Sequence, residues 1–231
     1  MYCVTAFGRF HSRNPDVIEL ARELGRTPGS IAMKLSNLAS LDPSERIRGI
    51  AGLPGASSLD KQVWDEFYGH WDLLAGVLPT QRETSGERTA TAPSGPTTSQ
   101  RVVMARRGQD FFRRAVLAAY AGCCCITGIA EPRLIRACHI LRWADSEEHR
   151  LNPANGLCLN TLHDAAYEEG LIALDDQLRL LVSLRLAKKM PNQVFTDCFG
   201  RYEGRPIDSP TRFAPEIALV RAHRKERFKP R

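Results

Sequence analysis

Two imidazoles and one carboxamide, His139, Asn155 and His163, lie within 25 residues of each other, each in a different local setting. His139 closes the apolar run Leu134, Ile135, Ala137, as a residue at a strand end does. Asn155 falls in the turn-forming stretch Asn152-Pro153-Ala154-Asn155-Gly156. His163 opens a predicted helix, because Asn160 can cap the segment from Thr161 to Glu169 and Gly170 can end it. Strand, loop, strand and helix can then bring the three side chains to one point. Such a constellation reads as a metal-dependent phosphodiesterase.

The elements around it divide the chain in three. From about Pro79 to Gln100 the sequence is rich in Thr, Ser, Pro, Gly and charge and lacks Leu, Ile and Phe, so burial cannot offset its ordering entropy. It is expected to be a flexible linker at 79–100 between modules at 1–78 and 101–231. The first module is predicted to be helical. Val17, Ile18, Leu20, Ala21 and Leu24 recur at helical spacing, Gly25 breaks the pattern, and Thr27-Pro28 starts a second helix with Ile31, Leu35 and Leu38 inward. Two short helices with a Gly turn describe a helix-turn-helix, whose second helix would offer Arg26, Ser30, Lys34 and Asn37 to phosphates or base edges. Paired helices are equally a common packing motif. Trp64, Phe67, Tyr68 and Trp71 read as core.

In the second module Arg106, Arg107, Arg113 and Arg114 share a helix with Phe111, Phe112, Val116, Leu117 and Tyr120, so the arginines could lie along a duplex backbone or merely be solvated. Leu171–Leu174 and Leu178–Ser183, around Asp175-Asp176-Gln177, are expected to form a β-hairpin. The basic tail from Arg221 to Arg231 could fray or grip phosphate. Charge follows this division: residues 1–100 carry 10 Lys/Arg against 11 Asp/Glu, and the remaining 22 against 15 make residues 101–231 net +7. A basic half suits a polyanionic partner. The seven cysteines include three consecutive ones at 123–125; the opening residues, Met1 to Phe10, lack the charged-then-apolar order expected of a secretory leader, and no apolar run reaches membrane-spanning length. Free thiols in a reducing cytoplasm are therefore expected, and with no second close Cys/His pair a structural zinc site is disfavoured.

The order Cys124-Cys125-Ile126-Thr127-Gly128, His139-Ile140-Leu141-Arg142-Trp143, and then Asn155 through Ile172 resembles the HNH endonucleases, closest to a restriction and phage-defence subgroup. The resemblance covers roughly residues 101–231. It implies an α+β fold in which a helical, helix-turn-helix-like N-terminal domain precedes a C-terminal ββα-metal nuclease domain. It also implies metal-dependent hydrolysis of DNA to leave 5′-phosphate ends. In those terms His139 is the general base, since imidazole titrates near the working pH. Asn155 bonds the backbone of the loop bearing His139 and fixes the ring's aim. His163 is the metal ligand, and Asp164 is a second ligand or a helix-capping carboxylate. The expected cofactor is a divalent cation, Mg²⁺ first, with Mn²⁺, Ni²⁺ or Zn²⁺ as alternatives. Many relatives carry Asp or His just before the base where this chain has Cys138, a soft donor unsuited to Mg²⁺ and therefore expected to pack. Arg142 would orient the scissile phosphate or pair with a nearby acid. DNA is the expected partner, no membrane is implied, and a double-strand cutter would be a C₂ homodimer. The rival is a non-catalytic DNA-binding regulator that retains the nuclease fold.

Overall fold

The computed structural model describes residues 1–6, 8–50, 53, 55–77 and 96–231, apart from the side chains of 96–104. In the N-terminal part each helix starts where the sequence supplies a cap. Asn14 caps α1 (Pro15–Glu23), Thr27 caps α2 (Pro28–Ala39) and Asp42 caps α3 (Pro43–Ile47). Ser57 and Asp60 form a reciprocal capping box at the start of α4 (Ser58–Phe67). Gly25, at φ +59°, makes the turn between α1 and α2, which pack on each other through Val17, Ala21, Ile31 and Leu35. After α5 (Trp71–Val77) comes the 24-residue α6 (Pro96–Ala119). The segment read as a linker lies outside the described residues as far as position 95, and positions 96–100 begin α6.

These helices are joined to the C-terminal part by aromatic rings and one buried cation. Trp64 stacks on Tyr68 at 4.2 Å, Tyr68 meets Trp71 edge-on at 5.5 Å, and Trp71 stacks on Phe111 of α6 at 6.0 Å. Arg212, 1 % exposed, donates to the carbonyls of Tyr2 (2.7 Å) and Thr5 and lies 4.7 Å from the Tyr2 ring centroid. A buried guanidinium is tolerated only with such acceptors and π faces around it.

A small antiparallel hairpin is the centre of the second half. β1 (Ile135–His139) pairs with β2 (Gly156–Asn160) in the register Ile135↔Asn160 through His139↔Gly156. It packs against both α6 and α7 (Thr161–Glu168). Gly156 is where α6 crosses: a Cβ there would clash with Val116 Cγ2 and stand 3.1 Å from Phe112 Cζ, so only glycine lets the helix lie on the strand end. The expected second hairpin is present as β3 (Ile172–Leu174) with β4 (Leu180–Val182). It is followed by α8 (Leu184–Lys189), α9 (Asn192–Cys198) and α10 (Ile217–Arg227). The basic tail docks rather than frays: Lys229 N donates to Gly170 O at 2.9 Å and Leu184 N to Pro230 O at 3.1 Å. All seven cysteines are free thiols, and among the described residues no helix is long and apolar enough to cross a membrane.

Candidate active site

His139 lies at the end of β1 with its ring flat on Phe112 of α6, centroids 3.7 Å apart and planes 6° from parallel, and Trp143 stands edge-on at 5.9 Å. Its Nε2 faces the carbonyl of Arg150 at 3.0 Å. A carbonyl only accepts, so Nε2 carries the hydrogen of the neutral ring and Nδ1 keeps its lone pair. Burial lowers the ring's pKa below the usual imidazole value, which the bond to Arg150 only partly offsets. The imidazole is therefore neutral at neutral pH and can accept a proton at Nδ1. The loop presenting the carbonyl is itself pinned, for Arg150 donates from Nε to Trp143 O at 2.7 Å and pairs with Glu147 at 3.3 Å.

Asn155 is completely buried and clips both ends of that loop. Its Oδ1 accepts from Leu141 N at 2.8 Å, and its Nδ2 donates to Leu141 O at 3.0 Å and His149 O at 3.1 Å. One carboxamide thus satisfies three backbone groups flanking the segment that orients His139. A short loop has no ladder to satisfy them otherwise.

His163 goes elsewhere. The Asn160 side chain caps α7 by accepting from Leu162 N and His163 N, both at 3.0 Å, and also faces His163 Nδ1 at 3.1 Å. His163 Nε2 faces Cys198 O at 2.9 Å, and the ring packs against Phe199 and Tyr202. Both ring nitrogens are turned to protein oxygens, of which the neutral ring can donate to only one. The hollow beside His163 is lined by Thr127, Leu134, Asn160 and Asp197 and shares no residue with the one beside His139. His139 and Asn155 are brought together; His163, expected as the metal ligand, is not brought to them.

The neighbouring face of α7 does reach the site. Asp164 and Glu168 are four residues apart on one side of the helix. Burial pushes the Cys138 thiol well above its ordinary pKa, and next the carboxylates of Asp164 and Glu168 beside it push the same way. Cys138 is thus a protonated packing thiol under two carboxylates, one residue from His139. Arg142 donates to Glu168 Oε2 at 3.0 Å and to Glu168 O at 3.1 Å, so the acid it pairs with is on α7. The oxygen donors of Asp164 and Glu168 suit a hard divalent cation, and a guanidinium now occupies the side of Glu168 where positive charge is wanted. Among the described residues no cluster of three or more His, Cys, Asp or Glu is gathered in a metal-binding arrangement.

Sequence reasoning missed Phe112, Glu168 and the contribution of α10. Only Glu168 had a signal, its spacing from Asp164. The arginines of α6 are mostly engaged: Arg107 reaches Gly76 O at 3.4 Å, Arg113 reaches Ile135 O at 3.4 Å, Arg114 pairs with Asp110 at 3.7 Å, and Arg106 is exposed. Lys34 of α2 is tied to Asp60 at 2.9 Å.

A strand-end imidazole, a carboxamide holding its loop and a carboxylate-bearing helix across the hairpin make up a strand–strand–helix arrangement. Residues 124–175 match the model of the HNH endonuclease family, so this stretch of the chain is an HNH nuclease domain. No curated protein matches the chain. The family assignment implies a nuclease whose substrate is DNA.

Proposed function

We propose that the protein is a metal-dependent DNA endonuclease in which His139 is the general base. The observation that carries this is the His139–Arg150 hydrogen bond, which reserves Nδ1 as proton acceptor in a ring held by Phe112 and by the Asn155 clip. In the step, Nδ1 takes a proton from water as the water oxygen attacks phosphorus. The bond from phosphorus to the 3′ oxygen breaks, the 3′ oxygen takes a proton from solvent water and leaves as a hydroxyl, His139 returns its proton to solvent, and the phosphate stays on the 5′ side. Asp164 with Glu168, rather than His163, would hold the cation, Mg²⁺ or Mn²⁺ by donor chemistry. Bound there, it would supply charge stabilisation at the phosphate. Asn155 acts through the loop and is a positioning residue.

The α1–α2 pair, with the exposed Arg106, is proposed as an additional DNA contact, and the restriction or defence role rests on the sequence resemblance. The test is to incubate supercoiled plasmid with purified protein and Mg²⁺, Mn²⁺ or Ni²⁺, beside His139→Ala. The parent should nick or linearise the plasmid and the variant should lose at least about a hundredfold in rate, the lower bound for general-base catalysis. A variant that cuts as fast as the parent overturns the mechanism.

A further inference from the structure

The hollow at His139 is not closed by the hairpin and α7 alone. Its wall also contains His223, Glu226 and Arg227 of α10, an element outside residues 124–175. Arg227 donates from Nη2 to Glu168 O at 2.7 Å, the same carbonyl that Arg142 reaches at 3.1 Å. Two guanidiniums from elements far apart in sequence therefore converge on the last turn of α7. Each is half-buried. The other N–H groups of Arg227 find no acceptor among the described residues, and Arg142 retains Nη1.

The placement of Arg227 is fixed from both sides. One turn earlier, His223 stacks on Tyr167 at 3.8 Å with planes 5° apart, and its Nε2 donates to Tyr167 O at 3.2 Å. One residue beyond Glu169, Gly170 sits at φ +67°, where a Cβ would collide with Arg227 O. The α10 backbone is thus seated against α7 as closely as glycine allows, and the guanidinium needs little reorganisation to act.

We propose that Arg227 and Arg142 form a two-arginine clamp on a backbone phosphate of the DNA, with α10 supplying one side of the substrate-binding wall of the nuclease site. A guanidinium presents several donors in a rigid fork matched to phosphate oxygens. Two forks held by one carbonyl reach a single phosphate from two directions. Glu168 keeps them parked until a phosphate arrives. This inference rests on the nuclease reading of the same site.

The test separates binding from chemistry by working in the His139→Ala background. Affinity for a short duplex is measured against salt for that protein and for the same protein with Arg227→Ala, Arg227→Lys or Arg142→Ala, with thermal melts confirming folding. Each phosphate contact removed should flatten the slope of log Kd against log salt by about 0.9. Arg227→Ala and Arg142→Ala should each show that change, and Arg227→Lys should keep the slope while weakening affinity. In the parent with His139, Arg227→Ala should raise KM more than it lowers kcat. An unchanged slope for folded Arg227→Ala, with DNA still bound and cut by the parent, overturns the clamp and leaves the nuclease reading intact. A parent that neither binds nor cuts DNA overturns both. If the alanine variant does not fold, the lysine variant decides: weakened affinity supports the clamp, and affinity and slope both equal to those of the His139→Ala parent overturn it.

Discussion

Replacing Asn155 by alanine tests the link between packing and aim most directly. The carboxamide makes three bonds at 2.8, 3.0 and 3.1 Å from a position with no solvent exposure. Truncation leaves Leu141 N, Leu141 O and His149 O without that partner. Each backbone group stranded in a buried place costs about 1–3 kcal/mol, while groups that can turn to water cost far less. Leu141 and His149 are half-buried, so part of the loss is recovered by hydration, and about 2–4 kcal/mol of destabilisation is expected. Asn155→Asp separates donors from acceptor: it keeps the bond from Leu141 N but sets a carboxylate against two carbonyl oxygens, and should be no more stable than alanine. Urea melts give the free energies, and plasmid cleavage at a temperature where each variant is folded gives the functional part. Freed of the clip, the loop no longer holds the Arg150 carbonyl against His139 Nε2, and cleavage should fall at least tenfold in folded protein. A melt within about 0.5 kcal/mol of the parent, the ordinary range for surface substitutions, would refute the reasoning.

Three further outcomes follow from other parts of the fold. Gly156→Ala should cost about 1–3 kcal/mol because the new methyl meets Val116 across α6, and adding Val116→Ala should recover part of it in a double-mutant cycle. Arg212→Met should destabilise by about 3 kcal/mol, since it removes the cation between the Tyr2 and Thr5 carbonyls, and hydrogen exchange should show the faster opening first at residues 2–5. Burial holds the His223 imidazole down to about 4, below its unfolded value near 6.5. The unfolded chain then takes up the proton first, so this group's contribution to stability is complete above about pH 6.5 and is lost as pH falls toward 4. That loss amounts to about 3 kcal/mol, and His223→Phe should flatten it in melts across that interval.

The parts of the site that could be read in the sequence are those carried by neighbours along the chain. Asn160 caps α7 because its side chain and two amides are separated by only two or three residues, and Asn155 clips a loop that it itself closes. His163 and Asp164 shared the same evidence from sequence: both sit in the first turn of one helix, and a period of 3.6 residues says they diverge by about 100° without saying which faces β1. That choice was made by Cys198 and Phe199, more than 30 residues away, which receive the imidazole and leave Asp164 with Cys138 and Glu168. Lys34 looked available for DNA for the same reason, since its partner Asp60 belongs to the capping box of a different helix. The flat support under His139 and the α10 wall come from residues tens of positions away, whose arrival no local pattern announces.

Phe111 and Phe112 are consecutive on α6, yet one ring faces Trp71 and the other underlies His139. Any shear or roll of that helix must be felt by the aromatic ladder and the His139 imidazole together. Chimeras that graft the first 77 residues onto a foreign nuclease core would strip Trp71 of its platform and Tyr2 of Arg212. A workable exchange has to carry α6 and the segment around Arg212 along with the N-terminal helices, so the heritable cassette is larger than the helical bundle itself.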